Sequence, residues 1–519
     1  MKTMRDAWLS AARHSPDQIA VVDRDRRRTY KEVMERAGRL ASALGSRGAR
    51  KLDRVAMLAM NCAEWYDVYA ACNTFGFIVT TVNFRLAAPE MLFILQDSGS
   101  KVLIYEEQYS DIIAAIRPKL PNLELLVCIR DGSGQTRLPD DVEDYETFLS
   151  SGDSAGVAVD VAPEDPAHLI YTSGTTGRPK GAVRSQRAEI RNGEALALFM
   201  GLTFGGSLLL IMPMFHIGAL AEAHGQIVCR GTVVLMRGFD PTKVLEVLQA
   251  ERIEATHMAP TMVQSFLAAP EIARYDLSAL RTLCYAAAPM PVSVLKRGIA
   301  LLGPIFVDCY GSTEVGAATA LHKRSHTLEG DERAIQRLAS VGQALTHTEL
   351  KTIDDVGNDC PAGAIGEVCI RSDSVLDYYW NNHTATLEAK VDGWYRSGDM
   401  GYLDEQGFLF LVDRKKDMII SGGENIYCRE VEEAIMEHAS VADVAVIGVP
   451  DAHWGEAVKA VVVLVPGAQL TAQDVIDHTT SLIARYKRPK TVEFAAALPR
   501  LPSGKVNKVA LREQHKNRD

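Results

Sequence analysis

The sequence predicts an α/β fold: a large N-terminal domain of mixed and parallel sheets with helices and a small barrel-like β part, then a small α+β C-terminal domain. Three observations predict it. Strand-like and helix-like runs alternate through the first half of the chain; after about residue 338 they give way to short apolar runs broken by Gly, Asp and Asn; and a compact mixed unit follows the charged cluster at 413–417. At 519 residues the chain is past the size at which one hydrophobic core stops growing, so more than one domain is expected.

The first clear helix signal is Thr29 followed by Glu32, a capping box, after which Val33, Ala37, Leu40, Ala41 and Leu44 share one face; a helix over about 30–46 is expected. An apolar run at 54–60, a helix at 64–75, a β-rich run at 78–82, a helix at 89–97 and a strand at 101–105 follow in alternation, as in a largely parallel sheet. Residues 150–166, rich in Gly, Ser, Asp and Pro, read as a linker or surface crossing before a strand at 168–172. Residues 195–215 are uncharged and long enough to raise the question of a membrane span, but Gly201, Gly205, Gly206 and Pro213 interrupt them. A helix end, a turn and a short core strand at 208–212 are expected instead. Short β runs at 367–371 and 408–412 close the first domain, 1–412. The second, 413–519, is expected to hold helices at 429–438 and 472–485 and strands at 444–449, 457–465 and 491–494.

Composition narrows the function. With 56 Lys and Arg against 66 Asp and Glu, a net charge of -10, and no basic track, nucleic acid is not an expected partner. The nine cysteines are scattered and never spaced C-x-x-C, which points away from disulfides and zinc and toward a reducing cytoplasm. The first 18 residues lack the apolar stretch of a signal peptide.

The sharpest motif is Tyr171-Thr172-Ser173-Gly174-Thr175-Thr176-Gly177-Arg178-Pro179-Lys180-Gly181. Its glycines let backbone N–H groups turn toward an anion, its hydroxyls add donors and Lys180 adds charge, which together make a phosphate cradle. The spacing is not that of a Walker A loop, because Gly181 stands where Ser or Thr is needed.

Five more motifs follow in order: Pro213-Met214-Phe215-His216, Tyr310-Gly311-Ser312-Thr313-Glu314, Tyr395-Arg396-Ser397-Gly398-Asp399, Asp413-Arg414-Lys415-Lys416-Asp417 through Gly422-Gly423-Glu424-Asn425, and Pro502-Ser503-Gly504-Lys505. Over nearly its whole length the chain thereby resembles the adenylate-forming enzymes, which include acyl-CoA synthetases, 4-coumarate-CoA ligases, firefly luciferase and the adenylation domains of peptide synthetases. The resemblance implies ATP, Mg²⁺ and coenzyme A as co-substrates and cofactors, and a small-molecule carboxylic acid as substrate. It implies Tyr310 against adenine, Thr313 donating to the α-phosphate and Glu314 as the oxygen ligand of Mg²⁺. Asp399 and Arg414 match residues that reach the ribose. Lys505 matches a lysine that bridges the incoming carboxylate and the α-phosphate. Lys416 matches the hinge on which the C-terminal domain turns between half-reactions, and Gly422, Gly423 and Glu424 the loop that then faces the thiol's path. His216 matches a position lining the acyl pocket.

A carboxylate is a poor electrophile; a mixed anhydride with AMP gives it a leaving group that a thiol can displace. The expected activity is therefore an AMP-forming acyl-CoA synthetase. Transfer to a carrier protein and a non-catalytic nucleotide-binding module are the alternatives, and homodimerisation stays open. An amino acid substrate is disfavoured because 215–219 offer no carboxylate for an ammonium group. Gly311 stands where acetate-activating relatives carry a Trp and Gly218 where 4-coumarate-CoA ligases carry Tyr. With Ala286 and Ala317 also small, the expectation is a roomy pocket for a medium-chain, aromatic or otherwise bulky acid, although tight backbone packing selects Gly and Ala as well.

Overall fold

A computed structural model describes residues 1–130, 137–172, 179–288, 290–330, 332–415, 417–421, 424–451, 454–501 and 504–515. The chain forms two compact units, Met1–Glu349 with Ile370–Tyr395, and Leu350–Cys369 with Arg396–Asp519.

The first unit is built on two large sheets. One has nine strands; its central strands Thr282–Ala286, Ala255–Met258, Ser207–Leu210, Thr232–Leu235 and Ile19–Asp23 run parallel, with antiparallel partners at both ends. The other has eight; Ile78–Thr81, Arg54–Leu58, Val102–Glu106 and Leu125–Ile129 are parallel, and Lys180–Ser185 pairs antiparallel with Pro166–Thr172. Alternate residues of each strand point to opposite faces. Val21, Leu208 and Leu210 of one sheet and Val55, Met57 and Val79 of the other share a single core with the helices between them. Their neighbours Leu209 and Val234, and Ala56 and Leu58, enter two outer cores. Glu64–Phe75, in the central layer, is buried at every position through Thr74. That accounts for a sequence with little amphipathic contrast, because a helix covered on all sides needs no polar face.

The capping box is present as read: Thr29 accepts the Glu32 amide and starts the helix Tyr30–Ser46. Residues 195–215 divide into the end of helix Gln186–Met200, a turn and the buried strand Ser207–Leu210. Among the described residues no helix is long and apolar enough to cross a membrane.

In the second unit Val441–Asp451 and Gly455–Leu464 form a long antiparallel pair, with Thr491–Phe494 and Ile419–Ser421 alongside. Val444, Val446 and Val462 face one core with helix Cys428–Met436, while Ala445, Ile447 and Val461 face another with Leu511 of helix Lys508–His515. The short strand expected at 367–371 lies within Gly366–Ser372, and the one expected at 408–412 overlaps Leu409–Arg414, one residue later at its start and two at its end.

Candidate active site

In open α/β sheets, ligands sit beyond the C-terminal ends of parallel strands. Several candidate residues of the first unit occupy that end. Ala286 closes strand Thr282–Ala286 and lies in register with Cys309, next to Tyr310 on strand Phe306–Ser312. The strand Ser207–Leu210 leads to His216, which caps helix Ile217–Val228 by accepting the Gly218 amide on Nδ1 at 3.2 Å.

The motif expected to cradle phosphates begins and ends on paired strands of the second sheet, with Thr172 opposite Lys180. Ser173, Gly174, Thr175, Thr176 and Gly177 lie outside the described residues. The ammonium of Lys180 sits 5.3 Å from the Tyr379 ring centroid, within the range of a cation–π contact.

Thr313 and Glu314 form the turn between Phe306–Ser312 and Gly316–Leu321 in the first sheet, and this turn is docked onto the second. Thr172 Oγ donates to Glu314 Oε1 at 3.3 Å and the Tyr379 hydroxyl to the same oxygen at 3.1 Å. The Leu376 amide donates to the Glu314 carbonyl at 2.5 Å, and Arg184 donates from Nη1 to the Thr313 carbonyl at 3.1 Å. Burial, aided by the Glu314 carboxylate, pushes the Tyr379 phenol up, so it stays a donor. The same holds for Tyr395. Both anchoring hydroxyls fall on Oε1 of an ionisable carboxylate, a donor set that suits a hard divalent cation on the other oxygen.

The acyl-side candidates separate physically. A Cβ on Gly218 would meet His216 Nδ1 at 3.4 Å and His257 Cε1 at 3.6 Å, ordinary contacts, so a methyl group fits. A Cβ on Gly311 would lie 1.8 Å from the Gly316 carbonyl oxygen, because Gly311 pairs with Ala317 beside a bulge. Close backbone approach, and not an open pocket, accounts for glycine at 311. We expect Gly311→Ala to cost at least about 2 kcal/mol in a urea melt, as overpacking does. An unchanged midpoint would refute the clash. The Ala317 amide donates to Asn192 Oδ1 at 2.9 Å. His257, which lies against this space, is buried and paired with buried Glu222.

Asp399, Arg414 and Lys505 belong to the second unit. Asp399 and Arg414 are cross-strand partners joined by an ion pair of 2.7 Å. Lys505 follows Gly504, whose φ of +85° makes the turn; Leu501 N–H donates to the Lys505 carbonyl at 2.7 Å. Lys416, Gly422 and Gly423 lie outside the described residues, and Glu424 opens the strand Glu424–Ile426. Sequence reasoning missed Arg184, Tyr379 and Leu376, since each reaches the turn from a distant segment. The one signal available was a charged residue, Arg184, three positions after the Tyr171–Gly181 motif.

Two sheets meeting at a carboxylate beside a lysine-bearing hairpin suit an enzyme that handles a nucleotide. The family follows from the sequence: residues 8–380 match the AMP-binding enzyme family and 430–505 the AMP-binding enzyme C-terminal domain, so the chain belongs to the AMP-binding enzymes. It is 33% identical over 520 residues to a fatty acid–[acyl-carrier-protein] ligase of Streptomyces coeruleorubidus, spanning 99% of this chain and 96% of the relative. A feruloyl-CoA synthase of Amycolatopsis is 35% identical over 514 residues, spanning 98% of each chain. Among solved structures, the anthranilate CoA ligase AuaEII in complex with anthranoyl-AMP aligns with a TM-score of 0.88 at 26% identity, covering 99% of this chain and 97% of that one.

Proposed function

We propose that the chain is an AMP-forming acid–thiol ligase that activates a bulky carboxylic acid as its acyl-adenylate and passes the acyl group to coenzyme A. The observation that carries this is the docked turn, which fixes Thr313 and Glu314 against the phosphate hairpin through bonds to backbone and side chain alike. In this reading the cradle and Lys180 receive the phosphates, Tyr310 stacks on adenine, and Asp399 with Arg414 takes the ribose hydroxyls. Glu314 would hold Mg²⁺, which when bound offsets phosphate charge. A carboxylate oxygen of the acid attacks the α-phosphorus, the bond to pyrophosphate breaks, and the Thr313 hydroxyl and the Lys505 ammonium stabilise the charge that develops. The thiol then attacks the acyl carbonyl and AMP leaves. Rotation about a hinge at Lys416, bringing the loop at Gly422, Gly423 and Glu424 to the thiol's path, would separate the two steps. The nine free cysteines suit a cytoplasmic enzyme.

His216, Gly218, Ala286 and Ala317 would line the acyl pocket. Space at Gly218 supports a bulky acid, and the His257–Glu222 pair beside it adds a polar element, so ring-hydroxylated aromatic acids belong in any test. Gly218→Ala should leave the melting temperature within about 2 °C while lowering turnover of the bulkiest acids severalfold; equal turnover of all acids would remove Gly218 from the pocket.

The deciding experiment is pyrophosphate release across a panel of acids, with and without coenzyme A. Bulky acids should give pyrophosphate and a CoA thioester, and acetate should be poor. Pyrophosphate without any thioester moves the acceptor to a carrier protein, a reading favoured by the full-length carrier-protein relative. Pyrophosphate from no acid ends the ligase reading.

A further inference from the structure

Beneath the Thr313–Glu314 turn lies a fully buried ionic cluster. Arg184, on strand Lys180–Ser185, is 0% exposed and donates from Nε to Glu189 Oε1 at 2.6 Å. Glu189 stands in the first turn of helix Gln186–Met200. His168, across the hairpin from Arg184, places Nδ1 3.5 Å from Glu189 Oε1, and His224 of the next helix places Nδ1 3.3 Å from Oε2. Burial alone would raise the Glu189 carboxyl, but Arg184 and the imidazoles hold it well below the usual carboxylate range. Burial pushes His224 down, which keeps it neutral.

The two imidazoles and the carboxylate have ligand atoms within 4.8 Å of one another, close enough to bracket a cation. The guanidinium already on Glu189 argues against one, because a divalent ion would have to share that carboxylate with a fixed positive charge. The cluster instead leaves one directed bond outward: Arg184 Nη1 to the Thr313 carbonyl, from the second sheet to the first. Apolar side chains in place of the whole cluster would pack with little loss of stability, whereas an apolar residue at 184 alone leaves the Glu189 carboxylate buried without its guanidinium, which is strongly destabilising. Neither could hold a carbonyl in place.

We infer that Arg184 is a positioning residue for acyl-adenylate formation: its fork, oriented by Glu189, His168 and His224, sets the Thr313 backbone so that the threonine hydroxyl meets the α-phosphate in the transition state. This rests on Thr313 acting there. A lysine has one ammonium and no planar fork, so it cannot serve Glu189 and Thr313 with the same geometry.

The test is Arg184→Met and Arg184→Lys, compared with wild type in both half-reactions, with rates per folded site from circular dichroism. Arg184→Met should lower kcat of ATP–pyrophosphate exchange about 100-fold, the scale of a misplacement near 1 Å. KM for ATP and thioester formation from supplied acyl-adenylate should stay within about threefold, a split that loss of folding would not produce. Arg184→Lys keeps a charge opposite Glu189 and should fall only about tenfold. Hydrogen exchange at 310–316 should quicken at least about tenfold in Arg184→Met, or in Arg184→Lys should the Met variant not fold. Adenylation within about threefold of wild type in Arg184→Lys, equal loss in both half-reactions, or unchanged exchange at 310–316 would each overturn the assignment. The exchange measurement stands even if wild type activates no acid, an outcome that ends the ligase reading instead.

Discussion

Lys505→Ala should lower acyl-adenylate formation by about two to three orders of magnitude, the loss of a transition-state charge contact of roughly 3–4 kcal/mol, while thioester formation from supplied acyl-adenylate survives. The turn that presents Lys505 is made by Gly504 and by backbone bonds from Leu501 to Lys505 and from Gly504 to Leu501, all of which alanine retains. Melting should therefore be unchanged. Separate assays of the two half-reactions decide the matter: equal losses in both would mean that Lys505 does not act at the α-phosphate.

Glu314→Gln should be nearly as damaging to adenylation and milder for the fold. Glutamine keeps an oxygen for the Thr172 and Tyr379 hydroxyls, so the joint between the sheets persists. What it loses is the charge that a divalent cation needs. Removing it should cost about 100-fold or more in pyrophosphate exchange and raise the Mg²⁺ concentration needed for half-maximal rate. The melting temperature should fall by only a few degrees, as expected for about 1 kcal/mol. A Mg²⁺ dependence like that of wild type would remove the cation from Glu314.

Much of this was legible in the sequence because it is local. Thr29 with Glu32 marks a helix start at the residue where it occurs, and the apolar run at 457–465 lies almost wholly within the strand Gly455–Leu464. The interruptions by Gly201, Gly205, Gly206 and Pro213 correctly divided 195–215 into a helix end, a turn and a strand. What escaped depends on partners far along the chain. Tyr379, Leu376 and Arg184 reach the Thr313–Glu314 turn from three separate places, and no period or spacing announces them. Gly311 shows a second kind of limit. Small residues are selected both by room and by crowding, and only the 1.8 Å distance to the Gly316 oxygen tells which applies.

The division of the chain also bears on its synthesis. Residues 350–369 belong with residues 396–519, although the stretch between them returns to the first unit. On the ribosome, Val368 and Cys369, both buried in the finished protein, emerge before their partners: Ser397 bonds the Val368 carbonyl at 2.7 Å, and Arg396 pairs with Glu367 at 3.1 Å. At about 5–20 residues per second that apolar strand waits on the order of seconds with its edge unmatched, the state in which strands pair with the wrong chain. Until residues 396–399 follow it off the ribosome, this strand is therefore open to mispairing.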